Sequence, residues 1–503
     1  MQTNILEYLE ATAPRVPDKL AFSNGPEGMT FREVHGQARA IGSSLLSRGA
    51  AREPVVVFME RHPKMVTAFF GVVYAGCFYV PIDREMPAFR VELIFQQLKP
   101  RYVICDEKTR EHARSLATEG AQVLLYDELS ASRTDGAALS RVRREALDTD
   151  PIYIVFTSGS TGVPKGVAAC HRSVLDYIEH LDEVLDVTED TVFGNQTPLY
   201  FDACLKELYS TIRCGATTYL IPKKLFSFPV KLVEYLNEYR INTVCWVVSA
   251  LTMISGFKVL DQHIPEYFRT VAFGSEVFPI KQFKLWRAAL PNARFINLYG
   301  PTEATGMSCW YEVDREFADD DVLPIGQPFP NTGLLLLTEE NRPAAPGEPG
   351  EICLRGTCLT LGYYGDFQRT NEVFVQNPLN RAYPELIYRT GDIGKLNERG
   401  ELVFLTRKDN QIKHMGHRIE LGEIEVVAAA GEGVRGVCCL YQKEKKKLIL
   451  CYEGSCEVSE LAHYLRSKLP PYMVPNKVIS VEVLPRTPNG KLDRRALAEQ
   501  VVD

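Results

Sequence analysis

The sequence predicts an α/β protein with largely parallel sheets, followed by a second, smaller α+β domain. Two observations predict it. Between residues 101 and 413 short β-branched runs alternate with amphipathic stretches, the pattern of strands joined by helical crossovers. After the charged string Arg407-Lys408-Asp409-Asn410 the pattern changes to a short mixed segment, a natural place for a boundary. The length agrees: 503 residues, 45% of them hydrophobic, exceed one ordinary core.

Taken in order, the N-terminus Met1-Gln2-Thr3-Asn4-Ile5-Leu6-Glu7-Tyr8 carries acid rather than a basic run and has no signal-peptide pattern. Residues 65–82 are uncharged and just long enough to flag a membrane helix, but Gly71, Gly76 and Pro81 interrupt them. They read as a buried helix that turns at Ala75-Gly76 into the strand Cys77-Phe78-Tyr79-Val80. Strands follow at Arg101-Tyr102-Val103-Ile104-Cys105 and Gln122-Val123-Leu124-Leu125-Tyr126, with residues 105–150 otherwise charge-rich and helical in pattern. Pro151 opens the strand Ile152-Tyr153-Ile154-Val155-Phe156. Further strands are Asn242-Thr243-Val244-Cys245-Trp246-Val247-Val248 and Glu401-Leu402-Val403-Phe404-Leu405. In the small domain Ser459 is expected to cap a helix carrying Leu461, Leu465 and Leu469 at i, i+4, i+8, which Pro470-Pro471 stops.

The formal charge of −7, with both signs interspersed and no long Lys/Arg run, excludes nucleic acid as the main partner. Thirteen cysteines without CxxC pairs argue for reduced thiols and a cytoplasmic location over a disulfide framework.

Three polar motifs carry chemistry. Thr157-Ser158-Gly159-Ser160-Thr161-Gly162-Val163-Pro164-Lys165-Gly166 follows a buried strand and concentrates hydroxyls, glycines and one lysine, the donors that phosphate oxygens take. It lacks the Walker register, and alone it is also compatible with a flexible surface turn. In Asn297-Leu298-Tyr299-Gly300-Pro301-Thr302-Glu303 an aromatic, a hydroxyl and a carboxylate sit on a Gly-Pro turn; Tyr299 can stack on a base and Glu303 can hold Mg2+, although a solvated turn would look the same. Tyr388-Arg389-Thr390-Gly391-Asp392 offers an acceptor for ribose hydroxyls, or is a plain polar turn. His414 and His417 at i, i+3 lack a third metal ligand.

Together with Arg407-Lys408-Asp409-Asn410-Gln411-Ile412-Lys413, Gly416-His417-Arg418-Ile419-Glu420, Glu423-Ile424-Glu425 and Pro488-Asn489-Gly490-Lys491-Leu492-Asp493, these motifs occur in an order with a known counterpart. The chain resembles, essentially end to end, the adenylate-forming superfamily of acyl-CoA synthetases, firefly luciferase and nonribosomal-peptide adenylation domains. The resemblance implies a large N-terminal domain, residues 1–408, of two layered α/β sheets and a small β-barrel-like part. A small mobile α+β lid, residues 409–503, would swing about a hinge at Asp409.

It also implies roles. Asn297 and Tyr299, with Gly274 and Gly300, would hold adenine, Asp392 and Arg407 the ribose, Thr302 the α-phosphate region and Glu303 the Mg2+. Thr157, Ser158, Gly159, Ser160, Thr161, Gly162 and Lys165 would grip the β- and γ-phosphates of ATP. Lys491 would reach the substrate carboxylate and α-phosphate as the main catalytic cation, with Glu303, Thr302 and Lys413 beside it. Thr406 departs from the glycine common before Arg407, which bears on the local turn.

Phe201-Asp202-Ala203-Cys204 matches the segment in which amino-acid-activating members pair Asp with the substrate ammonium; a helix N-cap is the competing role for Asp202. The implied side-chain pocket is Lys206, Trp246, Val271, Phe273, Leu298, Gly306 and Met307, with Phe201 and Asp202 at its entrance. Trp246 and Phe273 favour a small side chain such as that of D-alanine, whereas Lys206 suits an acidic one unless it pairs with Asp202 along the helix. The expected reaction is ATP-dependent activation of an amino acid, then transfer to the phosphopantetheine thiol of a separate carrier protein. The chain is expected to be free-standing, without membrane insertion. An acyl-CoA ligase and a non-catalytic nucleotide sensor are the alternatives.

Overall fold

The computed structural model describes residues 2–84, 86–159, 163–409, 411–443, 445–486 and 492–501. The chain divides into a large unit, Met1–Arg84, Lys99–Val155 and Gly166–Lys408, and a small one, Glu85–Leu98, Phe156–Lys165 and Asp409–Asp503.

Three sheets build the large unit. In the first, of nine strands, six neighbours run parallel: Arg294–Tyr299, Thr270–Gly274, Thr243–Val247, Val192–Asn195, Thr217–Leu220 and Leu20–Ser23. Parallel strands bury both faces and therefore read as continuous apolar runs. Here the two faces feed two cores: Val244, Trp246, Val271, Phe273 and Phe295 pack on one side, Cys245, Ala272 and Ile296 on the other. Register fixes this alternation, since Trp246 lies opposite Phe273 and Phe273 opposite Asn297.

The second sheet, of seven strands, carries Pro151–Thr157 beside Phe78–Asp83 and ends in Gln122–Leu125. The uncharged segment forms the buried helix Pro63–Tyr74, turns at Gly76 with φ +68°, and enters that sheet as Phe78–Asp83. A Cβ on Gly71 would stand 2.5 Å from Ile41, so glycine permits the close approach of helix Phe31–Ser47. Among the described residues no helix is long and apolar enough to cross a membrane. The charge-rich stretch gives three short helices, Arg110–Leu116, Tyr126–Ser130 and Gly136–Glu145. The third sheet, where the resemblance implies a barrel-like part, is antiparallel: Thr332–Leu337, Gly350–Gly356, Leu386–Leu396 and Phe374–Gln376, with Leu402–Arg407 also on Leu386–Leu396. All thirteen cysteines are free thiols.

The small unit has a hairpin, Gln411–His414 with His417–Glu420, turned through Met415 and Gly416, both at positive φ as a type I′ turn requires. A three-stranded sheet, Val434–Gln442, Lys447–Gly454 and Lys477–Ser480, packs with helices Leu421–Ala429 and Val458–Lys468. The expected cap at Ser459 is corrected: Glu457, in extended backbone, is the N-cap, and the helix starts at Val458, which places Ser459 inside the first turn. Leu461 and Leu465 are fully buried, and the helix ends before Leu469, ahead of Pro470.

Candidate active site

In open α/β sheets ligands collect beyond the carboxyl ends of the strands, and the predicted nucleotide residues of the large unit cluster there. Strands Leu386–Leu396 and Leu402–Arg407 place Asp392 directly opposite Arg407. Arg407 Nη1 donates to Asp392 Oδ1 at 2.5 Å, and the Tyr299 hydroxyl donates to Oδ2 at 2.6 Å. Asp392 is 3% exposed, and its own N–H is held by Thr390 Oγ1 at 3.0 Å. The result is a fixed carboxylate with lone pairs left for vicinal hydroxyls. Burial pushes the Tyr299 phenol well above its usual range, and Asp392 adds to it. Asn297 Nδ2 donates to Pro324 O at 2.8 Å. A Cβ on Gly274 would lie 2.4 Å from Leu298 O, and one on Gly300 2.4 Å from Gly306 O, so both positions exclude side chains. Thr406 lies opposite Ile393 beside a register shift at Ile393/Gly394 and is not at positive φ, so no glycine is needed before Arg407.

Next to this corner two carboxylates share the interior. Glu303, on the single turn Thr302–Ala304, is fully buried; Tyr363 OH donates to its Oε1 at 2.8 Å and Thr360 Oγ1 to its carbonyl at 3.0 Å. Asp202 sits in the short turn Asp202–Cys204 and caps nothing: helix Leu205–Cys214 starts from Cys204, which removes the N-cap role. Burial pushes Asp202 upward; a hydrogen bond from Thr302 and the charge of Lys206 oppose this, while Glu303 adds to it. Two neighbouring buried carboxylates call for cations. An ammonium suits Asp202. Mg2+ would suit Glu303, a buried carboxylate bonded by a hydroxyl, because this ion takes one or two carboxylates beside substrate phosphates.

A cavity of about 10 Å³ lies beside Asp202 in the chain, lined by Lys206, Trp246, Phe273, Leu298 and Met307 as expected, and also by Thr197, Cys245 and Ser275. Val271 lies two residues before Phe273 on the same strand face and does not reach the cavity. Gly306 is not among these lining residues; it has φ +91° and follows Thr305, the left-handed residue that ends the Thr302–Ala304 turn. Phe201 also stays off the wall, its ring 4.4 Å from that of Tyr200. Trp246 is fixed by its Nε1–H on Gly194 O at 2.7 Å. Lys206 is 3% exposed, and its charge favours the ionised form of Asp202, four residues before it.

The described part of the loop lies in the small unit. Thr157 Oγ1 donates to Lys165 O at 3.5 Å, and Ser158 Oγ to Arg418 O at 3.0 Å. Gly159 N–H donates to Glu423 Oε2 at 3.1 Å, and Glu423 pairs with Arg90, both side chains being 5% exposed or less. The loop backbone therefore already serves an anion, here a carboxylate. Lys413 stands opposite Arg418 in the hairpin, and Asp409 Oδ1 accepts from Gln411 N at 3.2 Å. His414 and His417 meet aromatic rings, His417 stacking on Tyr472 at 3.9 Å. Ser160, Thr161, Gly162 and Lys491 lie outside the described residues.

Sequence reasoning missed Tyr363, Arg90 and Glu207, a fully buried carboxylate next to Lys206. No motif marks Tyr363 or Arg90, which meet Glu303 and Glu423 only through the fold. Glu207 carried one signal: a charge inside the otherwise apolar helix run Leu205, Leu208, Tyr209.

Comparison with known proteins is consistent with this geometry. Residues 9–364 match the model of the AMP-binding enzyme family, and residues 423–491 that of the AMP-binding enzyme C-terminal domain. Gramicidin S synthase 2 of Brevibacillus brevis is 32% identical over 99% of this chain, which spans 11% of that relative's length. The D-alanine--D-alanyl carrier protein ligase of Bacillus licheniformis is 30% identical over 99% of both chains. The solved structure of holo-PA1221, a nonribosomal peptide synthetase protein containing adenylation and PCP domains, superposes with a TM-score of 0.83 at 24% identity, covering 99% of this chain and 84% of that one. With a family model across most of its length and a full-length relative, the chain belongs to the AMP-binding, adenylate-forming enzymes and is an ATP-using, AMP-forming ligase.

Proposed function

We propose that the chain activates a small α-amino acid, such as D-alanine, as its aminoacyl adenylate and passes it to the phosphopantetheine thiol of a separate carrier protein in the cytoplasm. The observation that carries this reading is Asp202, a buried carboxylate held by Thr302 beside a second buried carboxylate, which a substrate ammonium would neutralise. The cavity supports the size: about 10 Å³ is room for one water or a methyl group.

In the first half-reaction a substrate carboxylate oxygen attacks the α-phosphorus of ATP, and pyrophosphate leaves. Asp392 and Arg407 orient the ribose and Tyr299 the base, which fixes the α-phosphate for in-line attack. Lys491, in the role the resemblance gives it, neutralises charge at the attacking carboxylate and α-phosphate. Glu303 would hold Mg2+, which supplies charge neutralisation at the triphosphate. In the second half-reaction the thiol sulfur attacks the acyl carbon and AMP leaves; Asp409 is the hinge that separates the two steps, and Lys413 and Gly416-His417-Arg418 belong to the second arrangement.

Amino-acid-dependent exchange of labelled pyrophosphate into ATP tests this, run over a panel with both stereoisomers. Exchange with one small amino acid supports the reading. Exchange only with aliphatic or aryl acids selects an acyl-CoA ligase, and ATP binding without any exchange leaves a nucleotide sensor. Lys491→Ala should lower the exchange about 100-fold or more while transfer from a preformed adenylate persists; equal loss of both would refute the division of labour.

A further inference from the structure

Glu207 lies on helix Leu205–Cys214, one residue after the pocket lysine, and is fully buried behind the cavity wall. Neither of its carboxylate oxygens meets a donor at bonding geometry. Its surroundings are polar yet offer little. The Asn195 amide lies beside it, but Arg61 holds Asn195 through both its backbone and side-chain oxygens, and Asn195 Nδ2 makes no bond. Arg61 spends its other arm on Ile221 O. The Tyr177 hydroxyl, also buried and unbonded, feels Glu207 through space, as do the thiols of Cys204 and Cys245. Of the neighbours that favour its charged form, Lys206 is the strongest, ahead of Arg61.

A buried carboxylate without hydrogen bonds stays ionised only if a cation compensates it, and otherwise takes up a proton. A buried ammonium at a cavity has the same need. Glu207 has no bonded partner on either oxygen, and Lys206, the residue before it, lines the cavity and is its strongest favourable charge, while also acting on Asp202.

We infer that Glu207 is the counter-ion of Lys206 and a specificity-determining residue: it cancels the charge of the pocket wall, so that the pocket takes a small uncharged side chain and rejects an acidic one. This rests on the amino-acid reading above and settles its open choice between a small and an acidic substrate. Glu207 touches no substrate; it acts through Lys206. With Glu207 neutralised, the same wall would present an uncompensated ammonium to the cavity, the feature that an aspartate or glutamate side chain selects.

The test is pyrophosphate exchange at about pH 8, measuring kcat/KM for small neutral and for acidic amino acids with the wild type, Glu207→Gln, Lys206→Met and the double variant. Glu207→Gln should raise the acidic-to-neutral ratio by about tenfold or more, and Lys206→Met added to it should abolish that rise. A merely structural role would lower both substrates alike and leave the ratio fixed. The proposal is overturned if the wild type prefers an acidic amino acid, or if Glu207→Gln is active with an unchanged ratio. Wild-type exchange with no amino acid would instead overturn the amino-acid reading itself. Should Glu207→Gln fail to fold, thermal unfolding of the other two variants decides: Lys206→Met alone strands a buried carboxylate and should unfold at a lower temperature than the double variant, and the reverse order would overturn the pairing.

Discussion

The ribose corner and the side-chain wall both bury charge, yet in opposite ways. At the corner Asp392 is bonded on both oxygens, to Arg407 on one and Tyr299 on the other, with its N–H on Thr390. At the wall Lys206 and Glu207 face each other's fields without a direct bond. A carboxylate bonded on both oxygens is held in place for a ligand; one with no bond can be rebalanced by a single substitution. The difference separates the corner proposed for the nucleotide from the wall proposed for the substrate side chain.

The comparison breaks most sharply at the corner. Asp392→Ala leaves a buried guanidinium and phenol without their acceptor and should cost about 3–5 kcal/mol, read by denaturant unfolding, together with a large rise in the KM for ATP. A loss within about 0.5 kcal/mol would show the corner to be far less buried in charge than its geometry implies.

The wall should respond with pH instead. Burial lifts Glu207 from 4.5 to about 7, with Lys206 the chief opposing influence. A folded pKa above the unfolded one means that the native state holds the proton more tightly, so this contribution is fully present below about pH 4.5 and is lost as pH rises through about 7. The loss amounts to about 3 kcal/mol at most. Glu207→Gln should remove it: the difference in unfolding free energy between variant and wild type should grow from pH 5 to pH 8, and a constant difference would sink the assignment.

The smallest effect sharpens the corner's frame. Thr406→Gly should lower stability by about 0.5–1 kcal/mol, because Thr406 is an exposed strand residue and glycine only adds chain entropy to the unfolded state. Stabilisation would instead reveal a strained turn before Arg407.

Much of the corner was legible before any fold was known. Tyr299, Asp392 and Arg407 sit in ordered motifs, and the strand leading to Arg407 was read from residues 401–405, whereas residues 388–392, open to a reading as a polar turn, lie within the strand Leu386–Leu396. The wall was not legible to the same degree. Lys206 pointed toward an acidic substrate while Trp246 and Phe273 pointed toward a small one, and Val271 and Gly306 belonged to the expected pocket without reaching it. Ser459 failed for a local reason: a capping residue was available, but the helix began two residues earlier than that cap would set, at Val458 after Glu457.

By itself the sequence determined the alternating α/β class and marked the residues proposed for the nucleotide, because those follow from local periodicity and from short motifs whose chemistry lies within a few residues. Only the tertiary structure decided which buried charges balance one another. Tyr363 with Glu303, Arg90 with Glu423 and Asn195 beside Glu207 come from distant parts of the chain. Electrostatic compensation in a low-dielectric interior depends on distance in space, which the order of residues does not encode.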